Sequence, residues 1–293
     1  MGHFPGAFDP NDEQQAVTVV KQGVYCFAPS GVFLASIYSN DPEEVAQTLQ
    51  KALEKWETLK PEARLAPEPI DPSLAAPRPG GDQGYPEDGL VLFVAMRDLP
   101  RTPPQDESNA SSWNKDYAWF TRDEARSLLP SLPKAGDRHP VPDALARRLA
   151  RCHFVDCVRN LDMPYEDADV KKVSLTATVT KVDGDRVHLD LEGASHTDKE
   201  GVWPINGAED HGAPKPQKRG IQVRILGRAV YNLHTEAFES FEMVALGKRW
   251  GATQWNGRTD DLGENGIGYA FRLAGKGPVD RMIPWGVVNG VYR

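Results

Sequence analysis

The chain has no run of 18 consecutive apolar residues, so it offers no membrane-spanning helix. It also lacks an excess of positive charge. Across 293 residues, 34 Lys and Arg face 42 Asp and Glu, and a net charge of −8 leaves no broad basic field for nucleic acid or anionic lipid. Cysteine is scarce. Cys26, Cys152 and Cys157 are odd in number and none belongs to a Cys-x-x-Cys, so redox-dithiol and zinc-ribbon spacings are both missing. No nucleophile elbow, dinucleotide fingerprint or phosphate-binding loop occurs, and no repeat of 20–50 residues is evident. Met1–Pro5 shows no basic segment followed by an apolar one, as a secretory leader would. Trp-rich loops and a β domain nevertheless favour an exported, extracytoplasmic protein whose leader was trimmed.

What is present is a folded-core composition, 40% apolar, interrupted by 26 Gly and 24 Pro. Residues 168–293 carry 17 Lys and Arg against 16 Asp and Glu, whereas residues 1–167 carry 17 against 26. Patterning changes at the same place, from mixed helix and strand to strand and turn. The expected class is therefore α+β, with a boundary near Asp167 between an α/β part (1–167) and an antiparallel β sandwich or open barrel (168–293).

In the first part, Val24–Phe27 and Val32–Tyr38 read as strands about an Ala28-Pro29-Ser30-Gly31 turn. Asp41 caps a helix, with Pro42 in its first turn and Glu44 completing a capping box. Val45, Leu49, Ala52 and Trp56 recur at helical spacing. Residues 60–89 hold seven prolines and read as a linker with little regular structure. Leu90–Met96 reads as a buried strand, 101–114 as a polar loop, and Thr121–Glu124 as the start of a short helix through Leu129. Residues 142–158 form a connecting helix. In the second part, Val173–Val179 and Val187–Leu191 alternate with period two about a Val182-Asp183-Gly184 loop, a register that pairs Val179 with Val187. A second hairpin turns at His234–Glu236, and Gly268–Leu273 is a final strand.

The ββα order around Phe27–Gly31 and Asn40–Glu44 resembles the C-terminal half of a thioredoxin fold. That family keeps its Cys-x-x-Cys in the preceding half, and the residues before Val24 contain no cysteine, so the resemblance implies fold without thiol chemistry. Segments Arg228–Asn232, Phe238–Gly247 and Gly266–Leu273, with Arg151–Asp156 upstream, are similar to uncharacterised bacterial proteins that join a thioredoxin-like part to a β domain. That similarity implies an architecture and carries no activity.

Three polar groupings are candidates for chemistry. Asp156 interrupts an apolar helical stripe and His153 lies one turn earlier, so the carboxylate could orient the imidazole as a general base or simply bury a structural hydrogen bond. His188 and Asp190 share one strand face, with His196 beyond, a set of types that suits a divalent metal but without tight ligand spacing; a solvated sheet face reads the same way. The loop holding Arg249, Trp250, Trp255 and Arg258 could stack on a small-molecule or glycan ligand and direct it by charge, or its indoles could plug the sheet end. The leading functional expectation is a non-catalytic binding or interaction protein. The alternative is a hydrolase or metal-assisted enzyme using His153 and Asp156 or the β-domain histidines.

Overall fold

The computed structural model describes residues 23–39, 41–65, 84–101, 112–205, 213–277, 280–290 and 292. The chain divides into two compact units, Met1–Pro77 and Arg78–Arg293. The division thus falls far before Asp167. The physical reason is pairing: the strand expected at Leu90 belongs to the same sheet as the C-terminal strands.

The first unit is a hairpin and a helix. β1 (Val24–Phe27) pairs antiparallel with β2 (Phe33–Ile37), and Gly31 takes φ +87°, which closes the turn between them. Helix α1 (Pro42–Thr58) starts at Asp41, whose carboxylate accepts from the Glu43 amide at 2.8 Å. That bond goes one residue short of Glu44, so Asp41 caps alone and the expected box does not form. Thr48 and Ala52 are the buried positions of the helix, while Leu49 is exposed. Val45, Ala52 and Trp56 of the expected stripe are buried or half-buried, and Thr48 takes the place of Leu49. A one-turn helix, α2 (Pro61–Arg64), opens the proline-rich stretch, most of which lies outside the described residues.

The second unit is built on one eight-stranded, wholly antiparallel sheet in the order β4-β3-β10-β9-β8-β7-β6-β5. Its strands are β3 (Leu90–Asp98), β4 (Trp113–Phe120), β5 (Arg138–Pro140), β6 (Val170–Asp183), β7 (Arg186–Trp203), β8 (Lys215–Asn232), β9 (Ala237–Trp250) and β10 (Asn265–Leu273). β4 begins inside the expected 101–114 loop. Its burial explains the omission: Asn114, Lys115 and Asp116 look like loop, and Tyr117–Phe120 are buried on both faces, so no alternation is left to see. In the β6–β7 hairpin Val179 pairs with Leu189 rather than Val187, and Val182 pairs with Val187. A bulge between Val179 and Lys181 absorbs the odd residue and keeps Val179, Val187 and Leu189 on the buried face.

The concave face of the sheet is covered by short helices. α3 (Arg122–Arg126) has a complete capping box between Thr121 and Glu124. α4 (Asp143–Arg148) widens into a π-turn at Leu149–His153, closed by the Phe154 amide on the Leu149 carbonyl. The connecting helix therefore stops at His153, five residues before its expected end. Leu92 of β3, Leu175 of β6, Leu191 of β7 and Met243 of β9 line one small interior cavity with Leu145 and Leu149. β3 and β6 stand five positions apart in the sheet, about 24 Å if it were flat. The sheet must curl around α4 to bring them together.

Leu175→Ala should therefore cost about 2–5 kcal/mol in denaturant unfolding, because its neighbours come from several strands and cannot collapse into the gap. Leu132→Ala, at a position 79% exposed, should change stability by no more than about 0.5 kcal/mol.

Candidate functional site

Of the residues expected to do chemistry, Asp156, Arg249 and Arg258 converge at one end of the sheet, joined by Asp98 and Asp261, which the sequence did not single out. Asp98 ends β3, Asp156 follows the π-turn, Arg249 lies at the end of β9, and Arg258 and Asp261 sit in the β9–β10 connection. The Arg258 guanidinium has no exposed surface. It donates a fork to Asp98, Nη1 and Nη2 at 2.7 Å each, and a second to Asp156, Nε at 2.9 Å and Nη2 at 2.7 Å. Arg159 reaches Asp98 at 3.2 Å and Asp261 at 2.8 Å, and Arg101 forks onto Asp261 at 2.9 Å. Arg249, also without exposed surface, donates to the Asp261 carboxylate and carbonyl, with its Nε 3.7 Å from Asp156. Four guanidiniums thus share three carboxylates.

Electrostatics follow this geometry. Burial acts most strongly on Asp98 and pushes its carboxyl up, but the Arg258 fork and the Arg159 and Arg249 charges outweigh it and hold the group below its ordinary value. Burial likewise opposes Asp261, and the bond from Arg101 with the Arg249 and Arg159 charges pulls it down to about 2. Desolvation presses Arg258 toward the neutral form, yet its two carboxylates hold it above the usual arginine value. A neighbouring pair behaves differently. Asp162 accepts from Arg219 at 2.6 Å and from the Thr253 hydroxyl at 3.0 Å, and burial still raises its carboxyl.

Arg249 and Arg258, expected to direct a ligand at the loop surface, therefore turn inward. A guanidinium taken out of water needs carboxylates around it, and the only ones within reach are inside. Trp250 lies against β7, its Nε1 donating to Asp198 at 3.1 Å and its ring edge-on to His196 at 5.8 Å. Gly220 makes room for that indole: a Cβ there would fall 2.1 Å from the ring. Trp255 is 37% exposed, whereas both arginine head groups are buried.

His153 and Asp156 do not pair. With the helix ended at His153, Phe154 leaves at φ −94°, ψ 67° and Asp156 swings toward Arg258. The His153 ring instead places Nε2 at 3.1 Å from the Tyr292 hydroxyl and Nδ1 at 3.4 Å from Asp116. Tyr292 accepts from the Trp119 amide at 2.6 Å and lies 3.1 Å from the Trp119 carbonyl. Burial raises the Tyr292 phenol far above its ordinary value, and raises the Cys152 thiol to about 11, so neither ionises near neutrality. His188 and Asp190 do share a face of β7, but His196 is six residues beyond Asp190, about 20 Å along the strand. One ion cannot bridge them, and among the described residues no group of three His, Cys, Asp or Glu side chains is placed to hold a metal.

Beside the His153–Tyr292 contact opens a cleft of about 630 Å³. Tyr85, Trp119, Tyr292 and Val287 line it together with Arg148 and Glu124, which are joined by a fork at 2.8 and 2.9 Å. The Arg148 guanidinium also lies 4.8 Å from the Tyr292 ring centre. The sequence signals only part of this. The Thr121–Glu124 box is legible, whereas the three aromatic residues lie at positions 85, 119 and 292 with nothing local to link them.

Compared with known proteins, no family model, no curated protein and no solved structure matches the chain.

Arg258→Met should destabilise the fold by about 3–5 kcal/mol in denaturant, since it removes the fork from Asp98 and leaves buried Asp156 only Arg249 at 3.7 Å. Trp255→Ala should leave stability within about 0.5 kcal/mol. Acid should also act through this cluster. Asp98 and Asp261 have folded-state values below the unfolded ~3.9, so their contribution is present above that value and lost as pH falls below it, toward about 2 for Asp261. Asp162, shifted upward, works in the opposite sense, and its gain on protonation comes at pH above ~3.9, before that loss begins. Circular dichroism across pH 4 to 2 should show the decline (about that window follows from the two limits), and the Arg258→Met variant should show a shallower one.

Proposed function

We propose that this is a non-catalytic binding protein whose ligand is a small molecule carrying a ring, held in the Tyr85–Trp119–Tyr292 cleft. The observation that carries the reading is the cleft itself. Its volume falls in the ~300–1,000 Å³ range of small-molecule sites, and its lining joins aromatic side chains to the Arg148–Glu124 charge pair. Saturated sugar rings and aromatic rings both pack on such walls. A catalytic role has less support, because His153 and Asp156 are each committed to separate structural contacts. The net charge of −8 argues in addition against a nucleic-acid ligand. No helix among the described residues is long and apolar enough to cross a membrane.

For the architecture, we read the curled eight-stranded sheet as an open barrel rather than a sandwich, supported by the interior cavity that β3, β6, β7 and β9 share. The β1-β2-α1 unit we read as resembling the second half of a thioredoxin fold, on element order alone.

The dye 8-anilinonaphthalene-1-sulfonate provides the test. Its fluorescence should rise on binding, and Tyr85→Ala, which removes one wall, should weaken binding by on the order of 10-fold. Val287→Phe should block the cleft, while Trp255→Ala should have no effect. Dye binding that ignores both cleft variants would sink the proposal; displacement by ring-bearing small molecules would then identify the ligand class if it holds.

A further inference from the structure

The convex face of the sheet carries an alternating charge row that no feature of the cleft explains. Asp190 on β7 pairs in register with Arg228 on β8, Arg228 with Glu242 on β9, and Glu242 with Arg272 on β10. All four side chains are exposed. Read across the strands, the row is acid, base, acid, base. The next row on this face runs Glu192, Leu226, Val244 and Ala270, and in the one beyond it Leu246 stands opposite Arg224. Leu226, Val244 and Leu246 are 55%, 42% and 50% exposed, and the first two line a shallow groove of about 460 Å³ with the charged row. Three aliphatic side chains left adjacent on the solvent face of a central β8–β9 pair are unusual when alternation would place polar residues there.

The symmetry of the row identifies an occupant. A two-fold axis running along the strands, midway between β8 and β9, exchanges β8 with β9 and β7 with β10. It sets Arg228 over Glu242 of the partner subunit and Asp190 over Arg272 of the partner subunit. In the neighbouring row it sets Leu226 over Val244 of the partner subunit. Every charge in that row meets its opposite, twice over by symmetry, beside the Leu226–Val244 pair. We infer that this face binds a second copy of the chain, forming an isologous dimer through the outer surfaces of β7–β10.

The geometry suits face-to-face sheet packing. Sheets stack about 10 Å apart, within the combined reach of an arginine and a glutamate. The ~30° rotation between stacked twisted sheets displaces the outer strands by only a few ångströms, which long charged side chains accommodate. Because the sheet curls, its convex face touches a partner only at the central strands, so the dimer is a weak one that dissociates on dilution and in high salt. The inference does not depend on the cleft, which lies on other elements.

Sedimentation of the full chain over a concentration series tests it. The wild type should pass from monomer to dimer in the micromolar range, and the transition should move to higher concentration as salt is added. Arg228→Glu alone places two acidic pairs face to face, and Glu242→Arg alone places two basic pairs; each should weaken the dimer on the order of 10-fold or more. Mixed together, the two variants should associate again, because each charge then meets its opposite across the interface. That recovery separates an intermolecular contact from the side-by-side pairing of Arg228 and Glu242 within one sheet, which mixing cannot restore. Both positions are exposed, and an unchanged unfolding midpoint at low concentration confirms that the variants fold. A wild type that stays monomeric throughout, single variants that dimerise as it does, or a mixture that stays monomeric would each overturn the inference.

Discussion

The structure depends on keeping the Arg258 guanidinium neutralised away from water. A buried charge of that kind is tolerable only when carboxylates surround it, and here they come from three separate places: the end of β3, the exit of the π-turn and the β9–β10 connection. Satisfying one side chain therefore fixes where the first strand of the sheet stops, where the covering helix ends and how the loop between the last two strands folds. Arg159, Arg101 and Arg249 extend the same logic by sharing Asp98 and Asp261, so no carboxylate in the cluster serves one cation alone.

That arrangement also decides what the neighbouring residues can do. Because Asp156 is drawn to Arg258, His153 is left to Asp116 and Tyr292, and it ties the C-terminal Tyr292 to the backbone of Trp119 on β4. The ring of Tyr292 then becomes a wall of the cleft, against Trp119 and Tyr85. The ion cluster and the cleft share the segment 148–156, with Arg148 facing one and Asp156 the other. Under the proposed binding role, a ligand would meet the cleft that Tyr85, Trp119 and Tyr292 line, beside the Arg148–Glu124 fork.

The two faces of the sheet are under different constraints. On the concave side aliphatics from β3 to β9 must fit around α4 and its π-turn, and the β6–β7 bulge shows the backbone yielding so that Val179, Val187 and Leu189 stay inside. The convex side has no such requirement to meet. Its regular charge row and its cluster of Leu226, Val244 and Leu246 are a matter of surface chemistry, free to serve association without disturbing the core.

Local chemistry determined much of the secondary structure. Gly31 and the Ala28–Gly31 turn, the Thr121–Glu124 box, the β8–β9 turn at His234–Glu236 and the alternation in β6 and β7 are all readable because each depends on residues a few positions apart. Where burial acts on both faces, as in Tyr117–Phe120, the period disappears and β4 with it. The boundary at Asp167 was a true change in composition, yet β3 crosses it to pair with β10, and a pairing about 175 residues apart leaves no trace in local pattern. Asp156 was visible as a carboxylate that had to find a partner. Which partner it found depended on a π-turn that removed His153 from its side and on a loop 102 residues later that delivered Arg258, and only the folded chain brings those together.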